Sequence, residues 1–398
     1  MFGVRSEFRR AQLATAALFC FLGFQYGTWA SRLPAIKAHL GLTEAEVGLM
    51  LMACGAGAAA SFPLVAFLMK RLGSRRLATF AALAMGLILL LLSALPNYPV
   101  ALLVMACDGV AVACLNVAMN AQGAALEVRF QRTTMSKLHA TFSGGALGAA
   151  LLASGVNLVS SSLAVHFGIA VVVLLLLIGF AQSGLLTEGQ LAEGAAVKAE
   201  PAEESQPAGK GRRKFTPPSR LTIWMGGAMA FGTVTEGAMN DWSALYLKDV
   251  AKAAAQFAPL GIAVVSVMMV LARIFADGWR SRFGDGRIVR VGSALAGAGL
   301  ALALLVGGVV PALVGFACVG LGVAAVTPCV YVAAARHGSD SLSLVASMGT
   351  VGLLAGPGII GFIANASGLV WGMGAVAASA VIVSLCATQI RWPALAEA

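Results

Sequence analysis

Four side chains, Thr233, Glu236, Asn240 and Ser243, follow one another at intervals of three, four and three inside an apolar run that begins at Leu221. That spacing lays them along one stripe of a helix. The run is long enough to cross a bilayer, and an ionised side chain at the bilayer centre costs about 2.5 to 3.5 kcal/mol on insertion scales. A carboxylate there needs a counter-charge, a wet cavity or a task. One such task is to take up a proton on one side and release it on the other, because desolvation favours the neutral acid. Glu236 lies nearest mid-run and is the expected proton carrier, with Asp108 in reserve.

Two further runs carry polar stripes. Gln25, Thr28, Trp29 and Arg32 recur at helical spacing in the first, and Asn116, Asn120 and Glu127 align over three turns in another. Amides beside an indole suit a hydroxylated cargo, since each hydroxyl both donates and accepts a hydrogen bond. Gln25, Trp29, Asn116, Asn120 and Asn240 are therefore the expected cargo ligands. The blander readings are interhelical hydrogen bonding for the amides and an interfacial belt for Trp29 and Trp242. Arg32 and Asp241 both fall in the outer third of an outward-running helix and are expected to pair as a gate. Arg71, Arg282, Glu127 and His139 lie toward the inner ends with gating as their expected role, Glu127 in an ion-pair cluster with Arg129 and Arg71 or Arg75.

The elements that must hold these groups follow from composition. The chain has 398 residues, 59% hydrophobic and 11% charged, with a mean hydropathy of +0.87. That combination excludes a soluble globular protein and indicates a multi-pass membrane protein. Runs of bilayer length are expected near 11–34, 45–69, 76–96, 98–126, 135–160, 163–186, 221–247, 254–279, 288–309, 311–335, 341–364 and 369–390, twelve in all. The first is read as an uncleaved span.

The formal charge of +10 raises the question of nucleic acid, but the distribution of the 27 Lys and Arg answers it. Nearly all fall at the N-terminus, in alternate loops on the same side, or at the C-terminus. Only Lys37, Lys248 and Lys252 fall in loops on the other side, with Arg32 and Arg273 inside spans. This bias expects both termini in the cytoplasm, a bilayer as partner and no nucleic acid. Residues 187–220, rich in Ala, Glu, Pro and Lys, read as a flexible cytoplasmic linker between bundles at 1–186 and 221–398. All seven cysteines lie in apolar runs with no CxxC pair, so neither a metal site nor a disulfide frame is expected. A shift of 211 carries Arg71, Gly73 and Arg76 onto Arg282, Gly284 and Arg287, and Cys107, Gly109 and Gly145 onto Cys318, Gly320 and Gly356. The chain therefore reads as all-α, with two pseudo-symmetric six-helix bundles and a site between them near the midplane.

"FLMKRLGSRR" and "GWRSRFGDGR" resemble the loop signature G-x-L-x-D-R-x-G-R-R of the major facilitator superfamily, and the likeness covers the whole chain. Lys70 and Ser281 stand at the acidic position of that signature. "WASRLPAI", "NAQGAALE", "LHATFSGGALG" and "EGAMNDW" are similar to the MosC/YbjJ-like branch of bacterial inner-membrane proteins. The resemblance implies a secondary transporter with a link to inositol-derived or sugar-like cargo. No Walker loop, GxSxG or HExxH motif is present, so an enzyme is not expected. The expected protein is a monomeric transporter in the bacterial cytoplasmic membrane, working by alternating access with a proton as coupling ion and without a cofactor. The competing readings are a drug or metabolite efflux antiporter and a membrane sensor that has lost transport.

Overall fold

The computed structural model describes residues 2–187, 189–190 and 219–392. Most of the linker expected over 187–220 lies outside the described residues, as do the side chains of Arg5 and Asp277. Among the described residues every regular element is helical. The first half comprises α1 (Phe2–Ser31), α2 (Leu33–Leu40), α3 (Glu44–Ala60), α4 (Phe62–Leu92), α5 (Tyr98–Phe130), α6 (Met135–Val159) and α7 (Leu163–Gln182). The second comprises α8 (Arg220–Leu245, continued by a π-helical turn, Tyr246–Val250), α9 (Leu260–Phe283), α10 (Asp285–Val306), α11 (Val309–Val323), α12 (Val326–Ala335), α13 (Ser339–Ser367) and α14 (Leu369–Gln389).

Nine spans of the described residues are long and apolar enough to cross a membrane, or ten if the pair α2 and α3, bent by 118°, counts as one. The difference from twelve has physical causes. α4 holds two rods, hinged at Gly73, where φ is 74° and ψ 168°. α3 runs on into the first of them through Ser61, whose φ of −82° and ψ of −7° stay helical. α8 is diluted by Glu236, Asn240 and Asp241, and α9, from Leu260 to Phe283, is by itself long enough to cross a membrane. With these merged and divided, α11 and α12 taken as the one span Val309–Ala335, and the eight-residue α2 left out, twelve rods remain, six on each side of the linker.

Local chemistry sets the boundaries. The first span stops at Ser31 rather than 34, because Pro34 lacks the N–H that a continuing helix would need and instead opens α2. The eighth starts at Leu260, not 254, after a turn that ends at Pro259. Pro357 lies inside α13 without interrupting it, the helix running from Ser339 to Ser367.

The internal repeat is written in the backbone. Gly284, which separates α9 from α10, has φ 77° and ψ 149°, nearly the values of its counterpart Gly73. Both lie where a side chain would be strained. The spacing that aligns the glycines also aligns their packing: a Cβ on Gly109 would run into the Cys54 carbonyl, and one on Gly320 would meet the Val265 carbonyl at 2.6 Å. Cys54 and Val265 are themselves 211 residues apart. Small residues let helices in a membrane approach to backbone contact.

Within each half, α1 packs on α6 and α8 on α13. Between halves, α3 meets α13, α6 meets α9, and α1 meets α8. Leu176, Leu302 and Leu305 are 70%, 62% and 84% exposed, which suits a surface bathed in lipid. Part of the polar stripes faces the seam between the halves, through Tyr26, Asp241 and Arg273.

Candidate functional site between the halves

At the ends of the helices far from the termini the two halves are bonded to each other. The Tyr26 hydroxyl of α1 donates a hydrogen bond to the Asp241 carboxylate of α8. The Lys37 ammonium of α2 bridges Glu44 at 2.7 Å and Asp249, in the second half, at 2.9 Å. The Asn157 amide of α6 donates to the Ala255 carbonyl at 3.1 Å. No comparable bond joins the halves at the terminal side among the described residues. There the bonds stay within a half: Arg129 with Glu7, Arg75 with Gln182, and Thr222 with Ser341.

Beside this seal lies a closed layer. Gln25 and Asp108 are both fully buried, and the Gln25 amide donates to the Asp108 carboxylate at 2.9 Å. Trp29, 2% exposed, packs edge-on against Tyr26 with ring centroids 5.0 Å apart. Neither of these two expected cargo ligands is exposed in this structure. Gln25 is occupied by Asp108, and the Trp29 indole is walled in by neighbouring helices rather than open to stack on a ring.

The open cleft begins below. Arg273 of α9 holds Glu236 of α8 at 3.2 Å through one guanidinium nitrogen and donates to the Ser143 hydroxyl of α6 at 2.7 Å through another. Three helices from both halves thus meet on one side chain. Arg273 and Glu236 keep 24% and 29% of their side-chain surface exposed. His139, one helical turn before Ser143, is exposed and packs edge-on against Phe19 with centroids 5.0 Å apart. Asn116 is exposed and Asn120 half-buried, the Asn120 amide turned to the Asn116 side chain at 2.6 Å. Asn240 is half-buried, its amide donating to the Glu236 carbonyl at 3.1 Å.

The stripe on α8 therefore divides. Glu236 and Asn240 face the cleft, whereas Thr233 donates to the Gly349 carbonyl of α13 at 2.8 Å and Ser243 is buried beside Gly261. The expected Arg32–Asp241 pair does not form. Tyr26 has taken the carboxylate, and Arg32 donates to the Ser161 carbonyl instead. The expected Glu127 cluster is replaced as well: its carboxylate accepts from the Thr134 and Met135 amides at 2.5 and 2.8 Å. It thereby satisfies free donors at the start of α6, where the helix dipole favours a negative charge. Arg71 and Arg282 lie over the faces of Phe67 and Phe283, at 5.0 and 5.3 Å.

Sequence reasoning passed over Tyr26 and Ser143 and gave Arg273 no partner. Tyr26 carries no charge, and Ser143 sits in a glycine-rich stretch that reads as packing. The available signal was Arg273 itself, a cation inside a span, which demands a counter-charge. Among the described residues no three His, Cys, Asp or Glu side chains are grouped as a metal ion would require.

A helical pair of bundles with polar side chains meeting at the seam is the expected frame of a carrier, and comparison decides which. The model of the Major Facilitator Superfamily matches residues 14–342. The chain belongs to this superfamily. It is 30% identical over 391 residues to an uncharacterized MFS-type transporter of Yersinia pestis, covering 95% of each chain. It is 31% identical over 383 residues to the membrane protein MosC of Rhizobium meliloti, covering 93% of this chain and 88% of that one. In fold it is similar to the nucleoside transporter NupG, with a TM-score of 0.70 at 14% identity over 96% of this chain and 98% of that one. A bacterial homologue of the lysosomal transporter Spinster, in an inward-facing and occupied conformation, gives 0.66 at 13% identity over 95% of both chains. The protein is thus a multi-pass membrane transporter of this superfamily.

Proposed function

We propose that this transporter carries a small polar solute, of the sugar, polyol or inositol kind, across the bacterial cytoplasmic membrane by alternating access driven by a proton gradient. The observation that carries the reading is one-sided bonding. The halves are tied at the far side through Tyr26–Asp241, Lys37–Asp249 and Asn157–Ala255, while the polar groups below that seal keep exposed surface. Such an arrangement is one of two states of a carrier, the one open toward the termini. With the termini cytoplasmic, as the distribution of Lys and Arg supports, it is the inward-facing state.

Residues 1–186 and 221–398 rock as two bundles, joined through 187–220. Glu236 is the proton site: it pairs with Arg273 of its own half, and rocking the halves changes the distance from Arg273 to Ser143 in the other half, which frees the guanidinium to shift. The amides of Asn116, Asn120 and Asn240 meet the cargo hydroxyls. An efflux carrier for lipophilic compounds would need an apolar cleft, which these groups do not make.

The test is uptake by the purified chain in proteoliposomes under an imposed pH gradient, with labelled polyols, inositols, sugars and nucleosides. Accumulation of a polar solute that Glu236→Gln abolishes, with counterflow retained, is the expected result. Accumulation unchanged by Glu236→Gln would remove the proton from that residue, and movement of lipophilic cations alone would remove the polar-solute reading.

A further inference from the structure

The charges in the cleft point to the kind of cargo. Asp108 and Asp241 are 0% and 5% exposed, so neither is offered to a solute. Glu236 faces the cleft but is neutralised by Arg273. A cationic solute entering here meets no free carboxylate. An anionic one meets Arg273, whose guanidinium forks toward Glu236 and Ser143, with His139 one turn from Ser143 on the same face of α6.

A neutral solute gives no reason for the pair to be there. A buried or half-buried ion pair contributes little net stability, and apolar side chains of similar volume often do as well. An arginine that never loses its proton, in the middle of a membrane, is held for an anion. Its planar fork matches a carboxylate in two-bonded geometry, which a hydroxyl cannot equal.

We infer that the cargo carries a carboxylate alongside its hydroxyl groups, as a sugar acid does, and that this carboxylate seats on Arg273 in exchange for Glu236. The inference rests on the transporter reading above and specifies its solute. The exchange conserves charge. Glu236 takes a proton from water, its bond to Arg273 breaks, and the cargo carboxylate forms the replacement bond, so cargo and proton enter the site together. The other groups around Glu236 are Tyr26 of α1, within electrostatic reach, Asp241 five residues on in α8, and His139 across the seam. Tyr26 and Asp241 are bonded to each other, which leaves Arg273 as the partner Glu236 must lose. Since binding takes up a proton, it tightens as pH falls.

Binding to the purified full-length chain tests this, with D-gluconate and D-glucuronate set against D-glucose, myo-inositol and D-glucosamine at pH 8 and pH 6. The acids should bind the wild type at least about tenfold tighter at pH 6 than at pH 8. Glu236→Gln, which leaves Arg273 free, should bind them tightly at both pH values. Arg273→Ala should lose acid binding by about a hundredfold or more, and Arg273→Lys, which keeps the charge without the fork and guards against misfolding, should fall between. If a neutral sugar or inositol binds as well as the acids, and Arg273→Ala leaves that binding intact, the carboxylate is refuted while the polar-solute transporter stands. Tightest binding of the amine refutes it too. Binding of none of the five, with only lipophilic compounds moved in vesicles, overturns both.

Discussion

Gln25 and Glu236 stand at equivalent positions of the two halves, 211 residues apart, and do opposite things. Gln25 turns into its own half, donates to a fully buried Asp108 and closes a layer that water does not reach. Glu236 turns into the seam, keeps surface exposed, and pairs with an arginine that also reaches the other half. An amide in one copy and a carboxylate in the other separate a fixed bond from an exchangeable one. An amide has no charge to lose, so Gln25 donates without changing its own charge. A carboxylate bonded to a guanidinium changes partner whenever its proton or its surroundings change.

The comparison breaks most visibly at Arg273. Arg273→Ala should reduce transport about a hundredfold or more, because Glu236 is left without a counter-charge in the cleft. The double variant Glu236→Gln with Arg273→Gln should recover thermal stability to within about 1 kcal/mol of the wild type without recovering coupled transport. Uptake and thermal unfolding on the same preparations check both halves of the statement.

On the static side the expected loss is of stability, not of coupling. Gln25→Ala leaves the Asp108 carboxyl buried without its donor, at a cost of about 1 to 3 kcal/mol. Asp108→Asn, which can still accept from Gln25, should cost less. A pH dependence of uptake that survives both substitutions would confirm the division, and its loss in Gln25→Ala would show that the closed layer takes part in coupling.

The hinges should behave alike. Gly73→Ala and Gly284→Ala place a side chain at φ of 74° and 77°, and each should cost about 1 kcal/mol or slightly more. Unequal costs in thermal unfolding would mean that the two copies of the loop have diverged in their surroundings.

The smallest effect is expected at the seal. Tyr26→Phe removes one of the bonds between halves, worth about 0.5 to 1.5 kcal/mol net, so the far side should open more often by a factor of a few. Spin labels at exposed positions 38 and 254, one in each half at that side, report the distance. An unchanged distribution would leave the seal to Lys37–Asp249 and Asn157–Ala255.

Much of this protein was legible in the residues themselves. Hydrophobic run length, the bias of Lys and Arg, and the 211-residue repeat are properties of local composition, and they led to helices, a membrane and two matching halves without any knowledge of contacts. Periodicity also set Glu236 and Asn240 on one stripe and Asn116 and Asn120 on another, since spacing along a helix is a property of the chain alone. Which group each one meets was not legible. Gln25 and Trp29 share a stripe that reads like the others, yet helix packing buries both. Asp241 was matched to Arg32 on depth and charge, and a neutral tyrosine beside Gln25 reached it first. Arg273 and Ser143 belong to helices from different halves, 130 residues apart in the chain, and nothing in either segment marks the other. A partner across a seam depends on the rotation and approach of rigid helices, which close glycine contacts and burial set over the whole bundle. Only the tertiary structure decides that rotation, and with it which polar residue closes a bond and which stays free to change one.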